Sequence, residues 1–202
     1  IDESTGELND LQKDYLNEIN DSGRELLDRI NGFLDLSKIA AGKILLYKEF
    51  FGVDELIDPV IRRVRPLYNN KGVALEVAPS AGNCLQILAD REKSGQILTN
   101  LLSNALKFTP PDGNVVVSAF LDESGRYVSV SVKDTGIGID SRDQQKIFEP
   151  FQQVDGTPAR RYGGTGIGLA LAKKLVELHE PQNGRGSAFT CGILGIAYVN
   201  PY

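Results

Sequence analysis

Four polar side chains of one amphipathic segment have the spacing of a chemically active helix face. Gln96, Asn100, Asn104 and Lys107 stand four, four and three residues apart, so they share one stripe of a helix. Asparagine forms helices less readily than the Glu and Lys usual on exposed faces, so the repeated Asn needs a reason. An amide oxygen can coordinate Mg²⁺, and a nearby lysine can contact a phosphate. The alternative is an ordinary solvated polar face.

Two glycine-rich segments favour a nucleotide site. The first, DTGIGI (residues 134–139), follows an apolar strand pattern. A carboxylate there can accept a hydrogen bond from an exocyclic amine, and the glycines let backbone approach a flat ring. The second, GGTGIGL (residues 163–169), opens a helix whose first N–H groups can hold phosphate. Neither segment is a P-loop, which needs Gly-Lys-Ser/Thr, or a GxGxxG fingerprint, because Leu169 stands at the last Gly position.

The elements around these segments predict an α+β fold. Strand patterns with period two alternate with helical patterns and one hairpin. We therefore expect a two-layer sandwich with helices on one face of a mixed β-sheet. The predicted elements are a mainly helical stretch over Asp54–Asn70, strands over Val73–Val77 and Leu85–Ala89, a helix over Asp90–Phe108, a hairpin of Val115–Leu121 with Tyr127–Val132, and a helix that ends near His179.

A long helix is predicted before this fold, over residues 8–39. Its apolar residues recur at intervals of three, four and seven, which is typical of a bundle or coiled-coil seam. We expect it to end near Gly42 and to pair with a second helix or a second chain. The alternative is an amphipathic helix that packs on its own domain.

The overall composition excludes several classes of protein. The 202 residues carry a net charge of -5, which argues against a nucleic-acid surface. No apolar run approaches the roughly 20 residues that span a bilayer. The two cysteines are far apart and lack metal-site spacing, so a reduced, cytoplasmic setting is expected.

Five strings in order resemble the N, G1, F, G2 and G3 boxes of the sensor histidine kinase catalytic domain. They are NLLSNALKFTP, DTGIGI, FEPFQQ, GGTGIGLALAKKLVELH and GRGSAFT. That domain belongs to the ATPase superfamily shared with DNA gyrase, Hsp90 and MutL. The upstream string LLDRINGFLDLSKIAAGK resembles the end of the family's second dimerisation helix. The resemblance implies a dimerisation segment over residues 1–44 and an ATP-binding catalytic domain over residues 45–202.

The resemblance implies a Mg-ATP site and a role for each matching residue. Asn104 would be the Mg²⁺ ligand, Asn100 would lie beside the phosphates and Lys107 would contact phosphate. Asp134 would bind the adenine amino group. The other implied nucleotide contacts are Phe108, Gly136, Gly138, Ile139, Phe148, Tyr162, Gly164, Thr165, Gly166, Ile167, Gly168, Leu169 and Thr190. Residues 148–162 would form a mobile lid over ATP, anchored by Phe148 and Phe151 packing into the domain.

Asn100 separates two branches of the superfamily. Members that resemble gyrase carry a Glu at this position, which acts as general base on water. A neutral amide cannot take that proton, so we expect the site to hold ATP and to transfer its γ-phosphoryl group to a histidine of the dimerisation domain. The implied partners are a response regulator receiver domain and a second copy of the chain, paired through the N-terminal helix.

The sequence departs from the family pattern at two places. No string like HELRTP, which carries the phosphoacceptor, is present; we expect the acceptor upstream of Ile1 or on another chain, and no autophosphorylation by this chain alone. His179, the one histidine, is expected to be a cation or hydrogen-bond donor at a helix end. The strand of about eight residues expected after His179 is also missing. Either the tail CGILGIAYVNPY supplies a sheet strand, or the domain is damaged.

Two other functions stay open at this stage. One is a degenerate nucleotide-binding and dimerisation module without kinase activity, which both departures favour. The other is a serine kinase of the anti-sigma type on the same fold, against which the long helix argues.

Overall fold

The structure is a computed structural model that describes residues 6, 8–79, 85–121, 127–152 and 166–179, together with three two-residue strands nearer the C-terminus. The chain divides into two compact units, Ile1–Lys43 and Ile44–Tyr202. Among the described residues, no helix combines the length and the apolar character required to cross a bilayer.

The first unit contains the long predicted helix. Helix α1 spans Asp10–Ala40, and a reciprocal pair of hydrogen bonds between Asn9 and Gln12 caps its start. It ends before Gly42, which takes a left-handed φ of +65°. Several of its large apolar side chains are exposed, including Leu11, Tyr15, Ile19, Leu26, Leu27, Ile30, Phe33 and Leu34.

The second unit has the predicted mixture of helices and strands. Its elements in chain order are β1 (Glu49–Gly52), α2 (Val53–Lys71), β2 (Ala74–Val77), β3 (Gln86–Ala89), α3 (Arg91–Phe108), β4 (Asn114–Leu121), β5 (Tyr127–Asp134), a 3₁₀ turn (Lys146–Phe148), α4 (Gly168–His179), β6 (Phe189–Thr190), β7 (Ile193–Leu194) and β8 (Tyr198–Val199).

The main sheet is mixed, as predicted. Its strand order is β2-β4-β5-β8; β2 pairs with β4 in parallel, and the other pairs are antiparallel. Strands β1 and β3 form a separate antiparallel pair. The predicted α+β class is confirmed, with the helices packed on one face of the sheet.

The core lies between that sheet face and the helices. Alternate residues of β4 and β5 point inward, so Val117 and its cross-strand partner Val132 are both buried. Ile97, Leu98 and Leu102 of α3 are fully buried. Burial of each such side chain stabilises the fold by about 1.5–3 kcal/mol, and it fixes which face of α3 remains for polar residues.

The structure adds two features to the predicted layout. Strand β1 was not predicted, because its four residues are too few to show a periodicity. The tail after Thr190 does supply a strand to the main sheet, since Tyr198 and Val199 of β8 pair with Val128 and Tyr127 of β5. Of the two alternatives for the missing strand, the structure therefore has the first, with two pairs of residues among those that it describes.

Candidate functional site

The polar stripe predicted on α3 exists and borders the core. Asp90 caps the helix by accepting a hydrogen bond of 3.0 Å from the N–H of Lys93. Because the opposite face is buried, the half-buried side chains of Asn100, Asn104 and Lys107 line up along the remaining side. Phe108, also half-buried, is the last residue of the helix.

The stripe is connected to the start of α4. The Nδ2 atom of Asn100 donates a hydrogen bond of 3.3 Å to the carbonyl oxygen of Gly168. By contrast, the amide of Asn104, one turn further, makes no hydrogen bond within the described part of the chain, and the ammonium of Lys107 lies 4.9 Å from the centre of the Phe108 ring. Asn104 lies between Asn100 and Lys107 on this stripe, and its amide oxygen can therefore accept a ligand such as a metal ion.

The loop after β5 packs against the end of α3. The N–H of Gly136 donates to Oδ1 of Asp134 over 2.8 Å, and the N–H of Ile137 donates to the carbonyl of Phe108 over 3.3 Å. A Cβ on Gly136 would lie 2.6 Å from that carbonyl oxygen, so only glycine fits. Gly138 has a φ of +69°. Asp134 is thus held half-buried beside Phe108, and Ile139, further along the same loop, is exposed.

The segment before α4 is held to the F box by its backbone. The N–H of Phe151 donates to the carbonyl of Gly166 over 3.0 Å, and Gly166 has a φ of +66°. Buried Ile167 directly precedes α4, and its carbonyl accepts the N–H of Leu171 over 2.8 Å. The first N–H groups of α4, from Gly168 and Leu169 onward, have no partner within the helix and give this end a partial positive charge.

One expectation about the lid anchor is wrong. The ring of Phe151 is 61% exposed, so it does not pack into the domain; its backbone makes the connection to Gly166 instead. Phe148 is half-buried, with the ammonium of Lys173 from α4 5.6 Å from its ring centre. Tyr162, Gly164 and Thr165 lie outside the described residues. Thr190 lies in β6, where its backbone is paired with Ile193.

His179 is a neutral core residue rather than a cation at a helix end. It is 5% exposed; its Nδ1 lies 2.7 Å from the carbonyl of Leu175, and its Nε2 accepts the N–H of Asp90 over 3.2 Å. Accepting at Nε2 assigns the proton to Nδ1, which donates to Leu175. Burial lowers the pKa of His179, against the opposing hydrogen bond to Leu175. The expectation that His179 is a hydrogen-bond donor is correct. The expectation that it is a cation is wrong, because Nε2 accepts a hydrogen bond and the ring is therefore neutral.

Helix α2 contributes two side chains to this region that the sequence pattern did not indicate. The hydroxyl of buried Tyr68 donates to the carbonyl of Leu102 over 2.7 Å, and the ammonium of Lys71 donates to the carbonyls of Leu106 and Lys107 over 2.6 and 3.0 Å. Burial, and then the negative charge of Asp134, raise the pKa of Tyr68. The sequence feature that could have indicated such a contact is the pair of prolines at residues 110 and 111. Because proline has no N–H, the pair leaves carbonyls at the end of α3 without their usual backbone donors.

Comparison with known proteins agrees with this geometry. A family described as histidine kinase-, DNA gyrase B-, and HSP90-like ATPase matches residues 89–194. The chain is 39% identical over 203 residues to the circadian input-output histidine kinase CikA of Synechococcus elongatus, covering 97% of this chain and 27% of that protein. It is 37% identical over 193 residues to the signal transduction histidine-protein kinase BarA of Escherichia coli K12, covering 91% and 21%.

Solved structures show the same architecture. Full-length ShkA in complex with AMPPNP superposes with a TM-score of 0.75 at 29% identity, covering 98% of this chain and 41% of that one. The mycobacterial sensor histidine kinase MprB gives a TM-score of 0.56 at 28% identity, covering 65% and 80%. The chain spans about a quarter of the length of the curated relatives it matches. It belongs to the histidine kinase-, DNA gyrase B- and HSP90-like ATPase family, and residues 89–194 are an ATP-binding domain of the histidine kinase type.

Proposed function

We propose that the chain binds Mg-ATP and transfers the γ-phosphoryl group to a histidine of a dimerisation helical hairpin in two-component signalling. The observation that carries the proposal is the convergence of three elements. The end of α3, the loop after β5 and the start of α4 are joined by the bonds Asn100–Gly168 and Ile137–Phe108. The relatives named as histidine kinases and the AMPPNP complex of ShkA support it.

The adenine would bind beside Asp134. Within the described residues its carboxylate accepts one hydrogen bond, from Gly136, so it retains capacity to accept the exocyclic amine of adenine. The close approach of Gly136 to Phe108 lets a flat ring lie against backbone at this point. Phe108 and Ile139, with Gly138 at positive φ, would complete the walls.

The phosphates would lie between α3 and the start of α4. Asn100 and Lys107 would face them from α3, and the N–H groups of Gly168 and Leu169, which have no partner within the helix, would face them from α4. By resemblance, Gly164, Thr165 and Gly166 would complete this cradle. The proposal is supported by the bond from Asn100 to Gly168, which joins the helix that carries the cation of Lys107 to a helix N-terminus, and both groups suit a triphosphate.

Asn104 fits the role of the protein ligand to Mg²⁺. Its amide oxygen is half-buried and has no hydrogen-bond donor within the described part of the chain. No cluster of three or more His, Cys, Asp or Glu is present among the described residues, so phosphate oxygens and water would have to fill the other positions, as is usual for Mg²⁺. When bound, the ion would neutralise charge on the phosphates.

The residues of this chain would act by positioning and by neutralising charge, as phosphoryl transfer requires. Asn100 cannot act as a general base, because its amide has no basic site; its bond to Gly168 instead fixes α4 against α3. ATP would therefore persist until an imidazole arrives. His179 cannot be that nucleophile, since both ring nitrogens are hydrogen-bonded inside the core.

The partners follow from the same proposal. The exposed apolar side chains of α1 would pair with those of a second copy, giving a homodimer. A response regulator receiver domain would take the phosphoryl group from the histidine. A degenerate module without activity is the second candidate, favoured by the sequence, in which the strand that the family has directly after His179 is missing.

Calorimetric titration with AMPPNP, with and without Mg²⁺, tests the nucleotide site. We expect Mg²⁺-assisted binding that Asn104→Ala weakens and Asp134→Ala abolishes. Asn70→Ala on exposed α2 surface is the matched control and should bind as the unaltered chain does. A folded chain that binds no nucleotide would refute the proposal and favour the degenerate module.

Transfer is tested by adding γ-labelled ATP and a phosphoacceptor hairpin as a separate chain. An acid-labile labelled product identifies phosphohistidine, whereas an acid-stable product would indicate a serine kinase. Nucleotide binding without any labelled product would leave only the binding-module function.

A further inference from the structure

Helix α3 ends where the residues that directly follow it cannot supply all of the backbone N–H donors that its last carbonyls need. The last four carbonyls of an α-helix depend on N–H groups from outside the regular pattern or on other donors. The N–H groups that would continue the ladder to Leu106 and Lys107 belong to positions 110 and 111. Both are proline, which has no N–H.

Each of the four carbonyls nevertheless has a partner. The N–H of Thr109 donates to Ala105 over 3.0 Å, and that of Ile137 donates to Phe108 over 3.3 Å. The ammonium of Lys71 donates to the two carbonyls between them, at 2.6 and 3.0 Å. Lys71 therefore replaces both donors that the prolines remove, and its positive charge lies at the negative end of the helix dipole.

Tyr68 holds the same helix one turn earlier. It precedes Lys71 by three residues on α2, so the two side chains share one face of that helix. Its ring is fully buried, and its hydroxyl donates to the carbonyl of Leu102 over 2.7 Å. Together the two side chains contact carbonyls on both sides of Asn104.

The backbone reinforces this junction. The N–H of Asp112, which would otherwise continue the ladder to Phe108, donates to the carbonyl of Gly72 over 2.8 Å. The Phe108 carbonyl is thereby left for Ile137, next to Asp134. The end of α2 thus sets where the last turn of α3 lies relative to the loop after β5.

We propose that Lys71 and Tyr68 are positioning residues for the nucleotide site, because they hold the turn that carries Asn104, Lys107 and Phe108 against the Asp134 loop. The inference rests on the proposed nucleotide binding. Neither residue touches the nucleotide; each acts through carbonyls of α3. Loss of Lys71 leaves two carbonyls without donors, so the turn should fray and its side chains should lose their shared orientation.

The test compares Lys71→Met with Lys71→Arg, Tyr68→Phe and Arg65→Met. Arg65 is the matched control, since this cation on α2 also donates to a backbone carbonyl, that of Leu75 in β2, over 3.1 Å. We expect Lys71→Met to weaken AMPPNP binding by roughly ten-fold, about 1.4 kcal/mol, and Tyr68→Phe to weaken it by roughly three-fold. Lys71→Arg, which can contact both carbonyls, should restore most of the affinity. Arg65→Met should lower the melting temperature without changing the affinity.

A merely structural role predicts a different pattern. If Arg65→Met and Lys71→Met reduce affinity equally at equal loss of stability, or if Lys71→Met binds as tightly as the unaltered chain, the inference is overturned. Hydrogen exchange of the amides of residues 105–109 gives a second readout, expected to accelerate in Lys71→Met and not in Arg65→Met. If the unaltered chain binds no nucleotide, the proposed function fails, and the exchange rates still decide whether Lys71 holds the turn.

Discussion

The side-chain amide of Asn100 donates to the carbonyl oxygen of Gly168 over 3.3 Å, joining two segments that lie 68 residues apart in the chain. This bond connects the polar stripe of α3 to the first residue of α4. It uses the NH₂ group of the amide, so a carboxylate at the same position would place two acceptors against each other.

We therefore expect Asn100→Asp to lower the free energy of unfolding by about 1–2 kcal/mol, the cost of losing the bond and leaving a carbonyl unpaired. Urea denaturation at pH 7.5 measures it. Asn104→Asp is the control, because no hydrogen bond of Asn104 is present within the described residues; its stability should change by less than about 0.5 kcal/mol. Equal losses in the two variants would contradict the assignment.

Gly136→Ala should destabilise the domain and abolish nucleotide binding. The new Cβ would meet the Phe108 carbonyl oxygen at 2.6 Å and Oδ1 of Asp134 at 2.7 Å, so the loop must move and the Ile137–Phe108 bond must lengthen. We expect a loss of about 1–3 kcal/mol, measured by thermal unfolding. The control is Gly95→Ala inside α3, where a Cβ meets nothing within 4 Å. It should stabilise the helix by about 0.5–1 kcal/mol, and a loss of similar size there would refute the steric argument.

Stability should fall at mildly acidic pH because of His179. Burial lowers its pKa in the folded chain, so the unfolded chain takes up a proton first as the pH falls through about 6.5. The unfolded state then binds more protons, and linkage requires folding stability to decrease with falling pH. The free energy of unfolding at several values between pH 7.5 and 5 measures this.

His179→Gln serves as the reference, because His179 is the single histidine of the sequence and every other titrating group is retained. The variant should be less stable at pH 7.5, by about 1–3 kcal/mol for the disturbed buried bonds, and should lose less stability on acidification. Parallel pH profiles for the two proteins would show that His179 is charged or exposed in the fold.

The apolar side chains of α1 predict self-association. A helix of 31 residues with exposed Leu26 and Ile30 gains stability by burying them against another helix. Leu26→Glu combined with Ile30→Glu should weaken the dimer at least roughly ten-fold, about 1.4 kcal/mol, in sedimentation equilibrium. Glu18→Gln on the same helix should leave association unchanged. Equal association by the doubly substituted chain would exclude this stripe as the interface.

Local patterns determined most of the elements and the polar face of α3. The spacing of Asn100, Asn104 and Lys107 predicted one polar face, and α3 has it. Asp90 was predicted to begin this helix, and it caps it. Such predictions hold because helix periodicity, capping and glycine turns depend on residues within a few positions of one another.

Other features were decided by contacts between residues distant in sequence. The pairing of β8 with β5, the exposed ring of Phe151 and the neutral state of His179 each depend on what the rest of the chain places beside them. The two hydrogen bonds that Lys71 donates to carbonyls of α3 also depend on such distant contacts.

The prolines at positions 110 and 111 show in the sequence alone that the carbonyls of Leu106 and Lys107 lack the N–H donors of a regular helix. Only the tertiary structure decided that a lysine 35 residues before Leu106 would supply them, because packing of α2 on α3, not local propensity, brings that ammonium within hydrogen-bonding distance.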